Sequence, residues 1–394
     1  MNQSKKRLYF IDAMRAWAIL MMLQGHFIDG LLDPIFRDDS NLFFSIWKYF
    51  RGITAPVFFT VSGFIFTFLL IKNPIKGFSN PRVKKGITRG LQLIGIGYLL
   101  RINLLGLLYG EIYDAFYLVD VLHCIGISLL GIISIYLLTS KQKNYVFPTV
   151  LGIIGVTLFI FEPIYAKSSF NFLPQAISNY FAKSSGSVFT IIPWFGYTAL
   201  GGLISVLFKK YKERDTFYPV AIIGSLSLGL LLIFFSSDVF MSISNATNIS
   251  LFASIHYNNY LFIRFGDVLV VFAIFMAARQ LLTNKTIINL GQSTLSIYII
   301  HFIILYGSFT GIGLYRFFSH SLSPVIVITG ALLFMFVCST LALKYEKHKQ
   351  AIIGQITDII AEIIRAIEPG LLLLLKVIKS FSYKVLRLLG LIKN

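Results

Sequence analysis

The sequence predicts an all-α polytopic membrane protein: about ten transmembrane helices within residues 1–348, then an amphipathic helical tail, 349–394, lying on the cytoplasmic membrane surface. Three observations carry this expectation. Hydrophobic residues are 56% of the 394 and charged residues only 13%, against about 45–50% and about 25% in an average soluble domain, which excludes a soluble globule. Apolar runs long enough to cross a bilayer recur from end to end. The positive charges are also segregated: of 35 Lys and Arg, 26 fall in alternate connections and the tail, six in the others, and Arg15, Arg101 and Arg264 within spans. That asymmetry places both termini in the cytoplasm and makes the protein a multi-pass component of the cell membrane. It also accounts for the net charge of +18 without nucleic acid as a partner.

The spans are expected near 8–28, 52–71, 88–108, 116–138, 145–165, 187–208, 217–236, 260–281, 287–308 and 323–344. The first follows Lys5, Lys6 and Arg7 like a signal peptide, but Asp12 and Arg15 interrupt the apolar run and no small-residue cleavage site follows, so it is read as retained. Asp12, Arg15 and His26 share one helical face, because steps of 3 and 11 residues return to nearly the same direction at about 100° each. Such a face does not suit lipid, and an ionisable residue inside a span points to function. Asp12 and Arg15 equally suit an interfacial ion pair, whereas His26 lies about 16 Å further along, in the outer half.

Between the second and third spans the cytoplasmic loop carries Lys72, Lys76, Arg82, Lys84, Lys85 and Arg89. It is a topology determinant by position, and Arg82, Lys84, Lys85 and Arg89 are also the candidates for binding the phosphates of a polyanionic ligand by charge-assisted hydrogen bonds. His123 opens the fourth span from the outer side. Pro193 and Trp194 enter the sixth, Arg264 and Asp267 the eighth, and His301 reaches the same outer depth from the other direction. Each has an ordinary structural explanation, but their shared depth raises the expectation of a site. Cys124 and Cys338 lie far apart in apolar runs, giving no disulfide or zinc spacing, and no metal is expected. In the tail, Ile352, Ile356, Ile359, Ile360, Ile363 and Ile367 form an apolar stripe, Pro369-Gly370 is expected to break the helix, and Lys376, Lys379, Lys384, Arg387 and Lys393 suit an anionic leaflet. An eleventh span over the strongly apolar Leu371–Leu375 is the alternative.

The ordered motifs resemble those of the transmembrane acyltransferase superfamily. They are Tyr9-Phe10-Ile11-Asp12-Ala13-Met14-Arg15 with His26-Phe27-Ile28-Asp29, Phe59-Thr60-Val61-Ser62-Gly63, Arg89-Gly90-Leu91 through Gly97-Tyr98, Leu122-His123-Cys124, Ile192-Pro193-Trp194-Phe195-Gly196, and Leu290-Gly291-Gln292-Ser293 through His301. The middle motifs are more similar to the heparan-alpha-glucosaminide N-acetyltransferase-like branch than to acyltransferase-3. The resemblance implies an acyl-CoA donor, usually acetyl-CoA, entering from the cytoplasm, and transfer to a hydroxyl or amine of a sugar or envelope glycan at the outer side. It carries over Arg15 and His26 as motif residues. Residues 27–55 lack the histidine of that branch's first loop, and His123 stands where the branch often has Gln.

His26 is therefore the expected general base, with His301 orienting the acceptor or holding the thioester carbonyl. Arg15 and Asp12 complete the expected catalytic set, and His123, Trp194, Arg264 and Asp267 the substrate-binding set. A transporter or flippase, which also uses buried charges, is the rival reading, and a noncatalytic relative a third. The sequence is compatible with a homo-oligomer.

Overall fold

The structure, a computed structural model, describes residues 8–388 apart from 171 and 185. Lys5, Lys6, Arg7 and Lys393 of the charge argument lie outside the described residues, as do the side chains of 360, 363, 371, 372, 374, 378 and 383–388. The helices are α1 (Tyr9–Leu31), α2 (Leu42–Lys72), α3 (Pro81–Arg101), α4 (Val121–Thr139), α5 (Val146–Ile160), α6 (Ile191–Tyr211), α7 (Phe217–Thr247), α8 (Tyr260–Ala277), α9 (Lys285–Gln292), α10 (Thr294–Tyr306) and α11 (Pro324–Leu388), with short helical turns in the connections. Among the described residues no strand occurs, only isolated bridges. The protein is all-α and polytopic.

Every segment expected to span is helical, but not every one is a long apolar helix. Among the described residues six helices are long and apolar enough to cross a membrane, and α9 with α10, bent by 69°, makes a seventh if the pair is one span. The other three depart for readable reasons. The α1 helix spends its length on Asp12, Arg15, His26 and Asp29, and α3 carries Arg82, Lys84, Lys85, Arg89 and Arg101. The 15 residues of α5 rise only about 22 Å, short of a hydrocarbon core of about 30 Å. Conversely α2 starts at Leu42, capped by the Asn41 side chain on the Phe43 and Phe44 amides. It thus takes in Lys48 and Arg51, which the charge pattern alone reads as loop.

The chain divides into two compact units, Met1–Ala342 and Leu343–Asn394. In the first, helices pack through small residues, as membrane helices do where no water drives association. Gly63 of α2 sits against the Thr198 main chain of α6, and Gly201 of α6 against the Thr60 main chain of α2, so a Cβ at either would strike backbone. The connections sort into two ends. At one, Asn80 caps α3 through the Arg82 amide and donates to the Leu70 carbonyl and the Tyr136 hydroxyl at 3.0 and 3.1 Å, while Lys76 reaches Asn144. This end carries the lysine-rich connections and is called the basic end. At the other, Leu32 bridges to Leu322, Asn103 to Phe309, and Asn179 donates to the Tyr117 carbonyl.

The second unit is helical as expected, with a correction. The helix does not stop at Pro369-Gly370 but continues to Leu388. Proline removes one i→i−4 bond and can bend a helix without ending it, and the leucine run that follows is strongly helix-forming.

Candidate active site

The break between α9 and α10 is held against α1. Gly291 brings the α9 backbone onto the Asp12 main chain, where no Cβ would fit. The Arg15 guanidinium donates to Thr294 Oγ1 at 2.8 Å and lies 3.9 Å from the Asp12 carboxylate. Asp12 and Arg15 therefore fix where α10 starts and in which direction it runs. Two turns on, His301 is completely buried and its Nε2 lies 3.2 Å from Nδ1 of the half-buried His26. The ring centroids are 5.2 Å apart, Tyr298 stands 4.8 Å from the His301 ring, and Tyr306 meets the His26 ring edge-on at 6.2 Å. Both histidines lie near the end opposite the basic one, the dyad end.

Paired charged groups surround this dyad, as ions removed from water require. Asp29, one turn beyond His26, pairs with Arg51 of α2. Buried Asp120 caps α4, with Oδ1 2.9 Å from His123 Nδ1 and Oδ2 3.4 Å from Arg101 Nε. Arg101 in turn lies over the ring of Phe302, the neighbour of His301. Asp267 accepts from Arg264 at 3.0 Å and from the Tyr49 hydroxyl at 2.6 Å, while Arg264 stacks 4.5 Å from the Tyr49 ring and packs against Gly52, next to Arg51. Trp194 packs against Phe59 and Phe189 with ring centroids 5.0 and 4.9 Å away and the rings tilted, and among the described residues its buried Nε1 has no hydrogen-bond partner. His123, Trp194, Arg264 and Asp267 thus lie in the same half of the bundle as the dyad, while Asp12 and Arg15 hold the other half of α1.

A cavity of about 920 Å³ opens at the basic end, lined among others by Lys76, Lys143, Lys209 and Lys210, with Tyr136 and Asn144 between them. None of Arg82, Lys84, Lys85 and Arg89 lines it. They are exposed along α3, whose buried stripe Val83, Gly86, Gly90 and Leu93 faces the bundle. At the dyad end an apolar groove of about 830 Å³ adjoins a polar pocket of about 330 Å³ that contains Asp29, Arg37, Lys48 and Arg51. Among the described residues no His, Cys, Asp and Glu side chains cluster as a metal site.

Residues 7–238 match the family model described as heparan-alpha-glucosaminide N-acetyltransferase, catalytic. The chain belongs to this family. The match covers more than half of the chain and takes in α1 to α6 with His26, His123 and Trp194, so the protein is a member of a transmembrane acetyltransferase family. His301 lies beyond the matched residues, on the part of the chain that the dyad contact joins to the family region. No curated protein matches the chain.

Sequence reasoning missed several participants. Asp29 stands three residues after His26 and so on its helical face, a signal available from spacing alone. Arg51 and the lysines at 143, 209 and 210 looked only like topology charges, because their convergence depends on which helices are neighbours. Thr294 and Tyr306 carry no charge to draw notice, and only the break before α10 gives them their partners.

Proposed function

We propose that the protein transfers an acyl group, acetyl by family, from acyl-CoA bound at the basic end to a sugar hydroxyl or amine bound at the dyad end, which faces the outside. The His26–His301 contact, at the end opposite a lysine-lined cavity, carries this reading. Lys76, Lys143, Lys209 and Lys210 suit the phosphates of CoA, since ammonium groups clustered at a cavity mouth make charge-assisted bonds to phosphate oxygens. Arg82, Lys84, Lys85 and Arg89 supply an outer basic surface that attracts the same polyanion at longer range. Lys209 and Trp194 lie on one helix, α6, separated by about 22 Å of rise, so one element spans from the phosphate cations to a buried unpartnered indole N–H. The donor supplies an activated thioester carbonyl.

We place the proton traffic at the dyad. The 3.2 Å contact admits either ring as donor, and our reading takes His26 Nδ1–H as the donor to the His301 Nε2 lone pair, which puts the His301 proton on its buried Nδ1. His26 then keeps its Nε2 lone pair for the acceptor, the arrangement a general base requires. As the acceptor oxygen or nitrogen bonds to the acyl carbon, its proton passes to His26, the C–S bond breaks, and the proton leaves with the CoA thiol. His123, Trp194, Arg264 and Asp267 position the acceptor and the thioester around this step.

The purified protein in bilayers, given radiolabelled acetyl-CoA and extracted envelope sugars, should release CoA thiol in proportion to labelled sugar. Movement of unmodified substrate across the bilayer with no labelled product would establish the transporter reading instead.

A further inference from the structure

The two cavities at the dyad end form one amphipathic surface. The groove runs between the first turns of α2, the end of α1 and the start of α11, and Ile28, Leu32, Phe44 and Trp47 line both it and the polar pocket. Its walls include Phe43, Ile328 and Leu332, exposed by 83%, 54% and 62%. The start of α11 lies within a candidate span, so these walls meet acyl chains in a bilayer. The polar pocket differs from the rest of that lipid-facing surface. Arg51 pairs with Asp29 and Lys48 with Asp39, but Arg37 bonds two main-chain carbonyls and His320, and among the described residues its buried Nε has no partner. Three cations thus stand against two carboxylates in the pocket lining, while Asp38 of the adjoining groove accepts from the Ser40 amide and hydroxyl. The pocket also reaches the proposed base, because Asp29 is one turn, about 5 Å, beyond His26.

From this juxtaposition we propose that the acceptor is a sugar carried on a membrane lipid through a phosphate. Its chain lies in the groove, its phosphate against Arg37 in the polar pocket, and its sugar at His26. The inference rests on the acyl-transfer reading and deepens it. A singly charged phosphodiester matches the surplus cation, whereas a zwitterionic bilayer lipid brings no net charge and a soluble glycan brings no chain. Lateral entry also lets the acceptor reach a buried base without crossing the charged loops.

Trp47, shared by both cavities and donating to Gln24 at 2.7 Å, supplies the readout. The full-length protein in nanodiscs is titrated with two lipids of the same brominated chain, one ending in a glucose phosphodiester, which carries a single negative charge, and the other in phosphocholine. Quenching absent from Trp47→Phe is assigned to Trp47. The sugar phosphate lipid should quench at a concentration at least about tenfold lower than the phosphocholine lipid, and Arg37→Gln should remove most of that preference, as expected for losing one charge-assisted bond. Equal potency of the two lipids, or no quenching of Trp47 by either, overturns the proposal. Acetyl transfer to the same lipid phosphodiester ending in glucosamine, and to glucosamine's soluble methyl glycoside, is measured in the same nanodiscs. Equal use of the soluble acceptor overturns the inference and leaves the acyltransferase standing. Transfer to neither overturns the acyltransferase, and the quenching then decides the binding surface by itself.

Discussion

A histidine can serve as a base only if one ring nitrogen keeps its lone pair, and in the contact between His26 Nδ1 and His301 Nε2 that nitrogen is set by which ring donates. With His301 accepting, its Nε2 is occupied and His26 Nε2 is left for the acceptor. His26→Ala should therefore lower turnover by about a hundredfold or more, the usual contribution of a positioned base, with thermal stability and acetyl-CoA binding close to wild type. His301→Ala should also lose activity, partly as a raised KM for the acceptor, because it removes the group that orients the base. Steady-state kinetics on both variants checks the assignment. If His26→Ala keeps more than about a tenth of wild-type turnover and His301→Ala is inactive with normal binding, the roles are exchanged. At this scale the sequence was partly legible. Charge and histidine inside apolar runs marked Asp12, Arg15, His26 and His301, since such groups are costly in lipid. Their partners, Thr294, Tyr306 and Arg51, were not marked, because a hydroxyl costs little and a loop arginine is ordinary.

At the scale of elements, the first helix acts as a ruler with a support at each end. Its Tyr9 end holds the α9–α10 break through Gly291 and the Arg15–Thr294 bond at 2.8 Å, and its other end presents His26 to His301. A hydrogen bond to a charged group contributes about 1.5–3 kcal/mol, so Thr294→Val should lower stability by about that much. Because α10 is then less firmly aimed, turnover should fall while acetyl-CoA affinity is retained. Denaturation midpoints and kinetics measured together test this, and a stability loss with unchanged turnover would leave Thr294 a support without influence on the dyad. The break itself was not legible. Gln292-Ser293 has neither glycine nor proline, and the apolar run through Tyr306 reads as one span until Asp12 and Arg15 are seen to bind its start. The early start of α2 was hidden likewise, since Lys48 and Arg51 break the apolar run although Asn41 is a good cap.

Across the whole molecule the alternation of strongly basic and weakly basic connections was the most legible feature, and the structure groups the lysine-rich ones at one end. What charge alone could not say is which cations share a cavity. Replacing Lys143, Lys209 and Lys210 together by Ala should raise the KM for acetyl-CoA more than replacing Arg82, Lys84 and Lys85, and the difference should shrink as salt is added, because screened phosphate contacts count for less. A larger effect of the Arg82 set would move the donor site to the exposed face of α3. The final prediction concerns sidedness, on which the direction of transfer depends. An excess of Lys and Arg marks cytoplasmic connections, and Lys76, Lys143, Lys209 and Lys210 all lie at the basic end. Reporters inserted after Lys76, Lys212 and Asn284 should therefore read cytoplasmic, and those after Ser40, Ala176 and Asn248 external. In intact cells an impermeant amine reagent should accordingly spare Lys209 and Lys210 and label Lys48, which lies at the dyad end and is 54% exposed. An external signal at Lys212 would put the phosphate-binding lysines on the side where acyl-CoA is not made, and transfer from the basic end to the dyad would then have to run inward.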